Sequence, residues 1–163
     1  MIELKPITKE GIPRALEKIE RYRLLNEPSE AESICRDILA IDTDHQKALV
    51  MLILTLSDQF NKGVTDREAL NLLPRLKDDY QRAYYKGVIL ERLAKSALNR
   101  ATHGSHFDAY EWLEEAMESF EKAATVRPSG NDDAILRWNT CVRTIERYKL
   151  SAREKEHVEH PLE

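Results

Sequence analysis

Residues 114–143 constrain the fold of this chain more than any other stretch. A helix-favouring run places the small residues Ala116 and Ala123 on either side of Phe120, and the run ends before Pro128. A short polar turn follows, and then a second helix-favouring run. Small residues at helical spacing allow two helix backbones to approach closely. Two helices joined by a tight turn are the unit of stacked helical arrays, so this stretch predicts such an array.

The composition agrees with one folded domain that carries no large charge asymmetry. A chain of 163 residues can bury a core without metal or disulfide support. Its 25 basic and 29 acidic residues are mixed along the sequence, which argues against a surface that follows nucleic-acid phosphates. Its five glycines and six prolines are too few for a turn-rich β fold.

The compartment is predicted from the N-terminus, the apolar runs and the cysteines. Residues 1–11 lack the basic and apolar segments of a signal peptide. The longest apolar run, residues 48–56, is shorter than the roughly 20 residues of a membrane span. Cys35 and Cys141 lie within helical patterns, which is typical of buried free thiols in a reducing compartment. We therefore expect a soluble cytoplasmic protein without a membrane partner.

Apolar spacing predicts seven helices between a lead-in segment, residues 1–11, and a polar tail, residues 149–163. They form one helical domain, residues 12–148. Their expected ranges are about 13–25, 27–41, 45–60, from 65 to a kink or an early end at Pro74, 80–100, 108–126 and 132–148.

Several residues carry specific structural expectations. The third helix, with the run ALVMLILTL, is apolar nearly all round and should be buried at the centre. Gly87 should mark a close contact between two helices. Trp138 is expected to point inward, as is Leu24, whereas Trp112 lies off the main apolar stripe of its helix.

Helix starts are predicted from polar residues that precede the apolar runs. Asn26 should cap the second helix and Asp44 the third. Thr65, followed three residues later by Glu68, resembles a capping box that opens the fourth helix.

The chain resembles the tetratricopeptide repeat (TPR) family over about residues 12–147. The clearest match is the small–aromatic–small–proline pattern of Ala116, Phe120, Ala123 and Pro128. Weaker copies follow the same spacing, and a first-helix aromatic and glycine are also present: Ala31, Cys35, Ile38 and Thr43; Ala69, Leu73, Leu76 and Asp79; Tyr84 and Gly87. The resemblance implies an all-α, right-handed superhelix of about seven helices with irregular repeats. It also implies a non-enzymatic scaffold that binds proteins or peptides.

The family's binding groove is lined by the first helix of each pair. Carried over onto this sequence, the resemblance gives a groove whose central residues are Arg23, Val50, Leu54, Tyr84, Val88, Arg92, Asn139 and Arg143, with Asp58 and Glu91 among their neighbours. An apolar floor with arginines at its rim would suit a segment with apolar anchors and some acidic residues. Val50, Leu54 and Tyr84 have an alternative interpretation as core residues.

Other functions remain open at this point. The chain could be a dedicated chaperone for one client, or a helical subunit that binds a nucleotide or another small ligand. It could also form a homodimer through an exposed end of the stack. The sequence contains no nucleophile–base pairing and no glycine-rich phosphate loop, so we expect no catalysis and no cofactor. The pairs His103/His106 and His157/His160 are interpreted as solvated side chains, and no metal site is predicted.

Overall fold

The computed structural model describes residues 1–154. Over that range the chain forms α-helices without any strand, which confirms the all-α class. Within the same residues, none of the helices is long and apolar enough to cross a membrane. The seven helices of the described range are α1 (Ile12–Leu24), α2 (Pro28–Ile41), α3 (Gln46–Ser57), α4 (Arg67–Leu72), α5 (Asp79–Arg100), α6 (Ser105–Thr125) and α7 (Asp133–Tyr148).

Each helix packs mainly against its neighbours in the chain. Helix α3 also contacts α1 and α5, so alternate helices touch as well as successive ones. The buried residues form two core clusters, one centred on α1–α4 and the other on α5–α7. Leu54, Tyr85 and Leu93 pack against both clusters and join them. Cys35 lies in the first core and Cys141 in the second, and both are buried free thiols, as predicted.

Helix α3 is enclosed by the rest of the fold. Nine of its 12 residues are buried, and α1, α2, α4 and α5 all contact it. The prediction that its apolar run is buried is therefore confirmed.

Helices α5 and α6 approach each other closely at Gly87. A Cβ atom added to Gly87 would lie 2.5 Å from Cε1 of Phe120, which is itself fully buried. This distance leaves no room for a side chain, so the expected close contact at Gly87 is confirmed.

The end of α4 follows the prediction for Pro74. The α-helix stops at Leu72, and residues Leu73–Arg75 form one turn of 3-10 helix with Pro74 inside it. Proline lacks the N–H that a continuing helix would need, and its ring crowds the preceding turn.

The predicted helix caps are wrong. Asn26 has a positive φ of 58° and lies outside α2, whose N-cap is Glu27. Helix α3 is capped by His45, not Asp44, because Nδ1 of His45 accepts the backbone N–H of Ala48 at 3.1 Å.

The capping box at the start of α4 is also absent. The N-cap of α4 is Asp66, not Thr65, and its side chain makes no cap hydrogen bond. Glu68 accepts hydrogen bonds from Arg36 of α2 instead. A bidentate pair with a guanidinium is stronger than a bond to one backbone N–H, so the tertiary contact prevails over the local motif.

Two residues expected in the core are exposed. Leu24 is 88% exposed, because α1 ends there and the chain turns towards α2. Trp138 is 38% exposed. Helix α7 is the last in the described range and packs mainly on α6, burying only Ala134 and Cys141. Trp138 lies at the edge of that contact, while Trp112 is half-buried against the second core.

The predicted polar tail begins in contact with the domain. Leu150 is buried in the second core, and Arg153 forms ion pairs with Asp108 and Glu111 of α6. The remaining tail, with His157 and His160, lies outside the described residues.

Candidate functional site

Charged and aromatic side chains from α1, α3, α5 and α7 meet on one face of the molecule. Helices α1, α5 and α7 supply the side chains directly, and the residue that follows the last turn of α3 supplies a carboxylate. We call this set the arginine cluster, and its members are Arg23, Asp58, Tyr84, Glu91, Arg92 and Arg137.

Asp58 binds two arginines from different helices. Nε of Arg23 donates to Oδ2 of Asp58 at 2.7 Å, and Nη2 donates to Oδ1 at 3.3 Å. Nη1 of Arg92 contacts the same Oδ1 atom. One carboxylate therefore ties α1, the end of α3 and α5 together.

Glu91 makes the corresponding link between α5 and α7. Its carboxylate is 1% exposed, and Oε2 accepts a hydrogen bond from Nη1 of Arg137 at 2.9 Å. Nε of Arg137 donates to the hydroxyl of Tyr84 at 3.3 Å. Nζ of Lys95 lies 2.9 Å from Oε1, without the alignment of a hydrogen bond. Burial opposes the charge of Arg137, but Glu91 and Tyr84 outweigh it and raise the pKa of this arginine.

The two halves of the cluster are close enough to influence each other. Burial, followed by the positive charges of Arg23 and Arg137, acts to lower the pKa of Arg92. The contact with the Asp58 carboxylate opposes this effect. Because the charges of all three arginines act on one another, they belong to a single electrostatic site.

Helical spacing on α5 places its members on one side. Tyr84 and Glu91 are seven residues apart, which is two turns, and Arg92 follows directly. The ring of Tyr84 stacks on that of Tyr80 with centroids 5.5 Å apart and is tilted against Phe120 at 5.8 Å. Core packing thus fixes the ring of Tyr84, whose hydroxyl accepts the hydrogen bond from Arg137.

The cluster carries more positive than negative charge. It contains three guanidinium groups and two carboxylates, and the Lys95 ammonium lies next to Glu91 outside it, in a protein whose formal net charge is −4. The side chains of Arg23, Arg92 and Arg137 are 23%, 22% and 31% exposed, so solvent reaches each of them. A guanidinium has five N–H donors, and the contacts described above use only some of them. The site can therefore accept another anionic group.

The structure brings together three of the eight groove residues named from the sequence. Arg23, Tyr84 and Arg92 are in the cluster. Val50 and Val88 are buried core residues and cannot line a groove, which corrects their assignment. Leu54 is half-buried and packs against both cores.

Asn139 and Arg143 are not part of the cluster. They lie on other sides of α7, where Asn139 is half-buried and Arg143 is exposed. Arg137 takes the expected place instead. Two residues along a helix correspond to about 200° of rotation, so an error of two positions moves a side chain to the far side. The signal that sequence reasoning missed is that Arg137 lies three and four residues from the buried Ala134 and Cys141.

The described residues offer no grouping of three or more histidine, cysteine, aspartate or glutamate side chains suited to a metal ion. His103 lines an open surface depression beside the start of the tail, together with Gly104, Asp108 and Arg153.

Comparison with known proteins does not add a relative. A scan against family models finds no match, and the chain has no significant match among curated proteins or solved structures. The TPR resemblance therefore remains a prediction.

Proposed function

We propose that this chain is a non-enzymatic, TPR-like superhelical module that binds a protein or peptide segment across α1, α3, α5 and α7. The segment would carry an acidic side chain next to an apolar or aromatic one. The contacts between alternate helices, the close approach at Gly87 and the buried Ala116, Phe120 and Ala123 support the TPR-like arrangement.

The observation that carries the proposal is the excess of positive charge in the arginine cluster. Asp58 and Glu91 hold the three arginines in place before any partner arrives. Preorganised donors lose less conformational entropy on binding than mobile ones. A carboxylate of the partner can add to the free N–H groups, in the manner of other charge-assisted pairs.

A surface cavity with two apolar lining residues lies at the α5–α7 part of the cluster. It has a volume of about 250 Å³ and is lined by Tyr84 and Leu136 together with the polar or charged residues Glu91, Lys95, Asp133, Arg137 and Thr140. Leu136 is largely exposed and Tyr84 is half-buried, so both offer apolar surface to a partner. The position of this cavity favours an apolar side chain one or two positions from the acidic one in the bound segment.

A random peptide library displayed on phage would test the proposal. Selection on the folded protein should enrich peptides that pair an acidic residue with an apolar or aromatic neighbour. Synthetic copies of these peptides would then be titrated by calorimetry. Arg137→Met should weaken their binding by roughly 10- to 100-fold, since loss of a charged hydrogen bond corresponds to about 1.5–3 kcal/mol.

Arg143→Met is the matched control, because Arg143 is an exposed arginine of the same helix outside the cluster. It should leave affinity within about twofold. Circular dichroism would establish that both variants remain helical. Enriched peptides without acidic residues, or equal loss of affinity in both variants, would contradict the proposed site.

A further inference from the structure

A second surface, separate from the arginine cluster, lies between α6 and α7. It is an apolar groove of about 180 Å³, which we call the terminal groove. Trp138 forms part of its wall and is 38% exposed. Apart from one carboxylate, its lining is apolar, and it consists of Phe120, Glu121, Ala124, Ala134, Ile135 and Trp138.

The groove exists because α7 has a wider apolar side than α6 covers. Ile135, Trp138 and Val142 lie at three- and four-residue spacing along one edge of α7. Helix α6 is the main helix in contact with α7 over the described residues. In a stack of helices, an additional helix would be needed to cover this edge.

The border of the terminal groove is acidic. Helix α6 exposes Glu114 and Glu121 on this side, and Glu121 itself lines the groove. Glu114 lies seven residues, or two turns, before Glu121 and hence on the same side of the helix. The surface therefore suits an occupant that is apolar at its centre and basic along its side.

The first helix of the same chain presents such a surface. Arg14, Lys18 and Arg21 are exposed at spacings of four and three residues and form a row of net positive charge on α1, with Glu17 beside it. The row ends at two exposed leucines, Leu24 at 88% and Leu25 at 61%. Leu24 and Leu25 therefore supply apolar surface next to the basic row.

We propose that α1 of a second copy of this chain docks in the terminal groove. Leu24 and Leu25 would cover Trp138, and the basic row would run along the acidic side of α6. The two surfaces differ, so the contact is heterologous and joins copies head to tail in a line that need not close. Contact of two terminal grooves with each other is disfavoured, because it would bring Glu114 and Glu121 of both copies together.

Sedimentation velocity from about 10 μM to about 1 mM tests this directly, in the range expected for small interfaces. The wild-type protein should sediment faster as its concentration rises, and more so at low salt. Leu24→Ser and Glu121→Lys should each remove most of this association. Their controls, Leu136→Ser and Glu115→Lys, replace exposed residues of the same types away from the two surfaces and should not.

A charge exchange separates head-to-tail contact from other modes. Arg21→Glu and Glu121→Lys should each be monomeric alone, because each brings two like charges together. An equimolar mixture of the two variants should associate again, because Arg21 of one variant meets Glu121 of the other and the reversed pair is also of opposite charge. A wild-type protein that is monomeric over the whole range overturns the proposal and leaves the groove to a different protein. Association that Leu24→Ser and Arg21→Glu both leave unchanged also overturns it, because the contact then does not use α1.

Discussion

Helices α3 and α7 differ little in length but greatly in how the fold surrounds them. Helix α3 has 12 residues, of which nine are buried, and four other helices contact it. Helix α7 has 16 residues, of which only Ala134 and Cys141 are buried. The number of neighbouring helices, not helix length, therefore determines how many residues of each of these two helices are buried.

This difference assigns different roles to the two helices. The sequence of α3 is committed to packing, because almost every side chain faces another helix. Helix α7 keeps most of its surface, and it contributes to both surfaces described above. Arg137 faces the arginine cluster, and Trp138, the next residue, lines the terminal groove. The core buries only two residues of α7, so most of its side chains could contact a partner without loss of core packing.

Truncation of a buried side chain should show the largest contrast between the two helices. Ile53→Ala in α3 removes a fully buried side chain and should lower the free energy of unfolding by about 3–4 kcal/mol. Val142→Ala in α7 removes atoms from a half-buried position and should cost less than about 1 kcal/mol. Urea denaturation followed by circular dichroism measures both values.

Similar losses for the two variants would show that α7 is as tightly integrated as α3. The m-value serves as the internal control, because an unchanged slope shows that both variants unfold from equally compact native states.

The sequence could predict α3 better than α7 for the same physical reason. A helix that is apolar all round is buried whatever its rotation about its axis. The burial of the run ALVMLILTL could therefore be predicted without knowing which helices surround it. A helix with apolar residues on one side only, such as α7, has a stripe with two edges. A single neighbouring helix covers only part of that stripe. Sequence spacing placed Trp138 correctly on the apolar side of α7, but the position of α6 leaves it at the edge.

The arginine cluster was predictable only in part. The family resemblance named Arg23, Tyr84 and Arg92 among the groove residues, and the structure brings these three side chains together. The pairing of two arginines with Asp58 depends on residues 35 and 34 positions away in the chain, and no local pattern encodes it. A long-range pair also accounts for the absence of the predicted capping box in α4, since Glu68 binds Arg36, 32 residues earlier.

The two cysteines allow a comparison of local opening in the two cores. Burial raises the pKa of Cys35 and of Cys141 to about 12, so neither forms an appreciable thiolate in the folded state near neutral pH. Labelling therefore requires opening. Cys141 lies on the sparsely packed α7 and should react at least roughly tenfold faster than Cys35.

Mass spectrometry of native protein treated with iodoacetamide would measure the two rates by peptide. The same treatment in denaturant is the control and should label both cysteines equally fast, because burial then no longer raises either pKa. Equal rates in the native protein would mean that the two cores open together, which would contradict a less stable packing of α7.

Substitutions at the N-caps of α3 and α7 should have the smallest effects on the free energy of unfolding. His45→Ala should cost about 1 kcal/mol, because Nδ1 of His45 caps the N-terminus of α3. His45→Asp should retain the stability, since a carboxylate also accepts the N–H of Ala48 and favours the positive end of the helix dipole. Asp132→Ala at the N-cap of α7 should change stability by only a few tenths of a kcal/mol, because Asp132 makes no cap hydrogen bond.

Asp44→Ala distinguishes the N-cap of α3 in the structure, His45, from the N-cap predicted from the sequence, Asp44. If Asp44 were the cap of α3, its replacement would cost as much as that of His45, and thermal unfolding would show both shifts. We expect Asp44→Ala to resemble Asp132→Ala instead. The start of the enclosed helix would then depend on one imidazole, while α7 begins without any such cap from Asp132 and relies on its contact with α6.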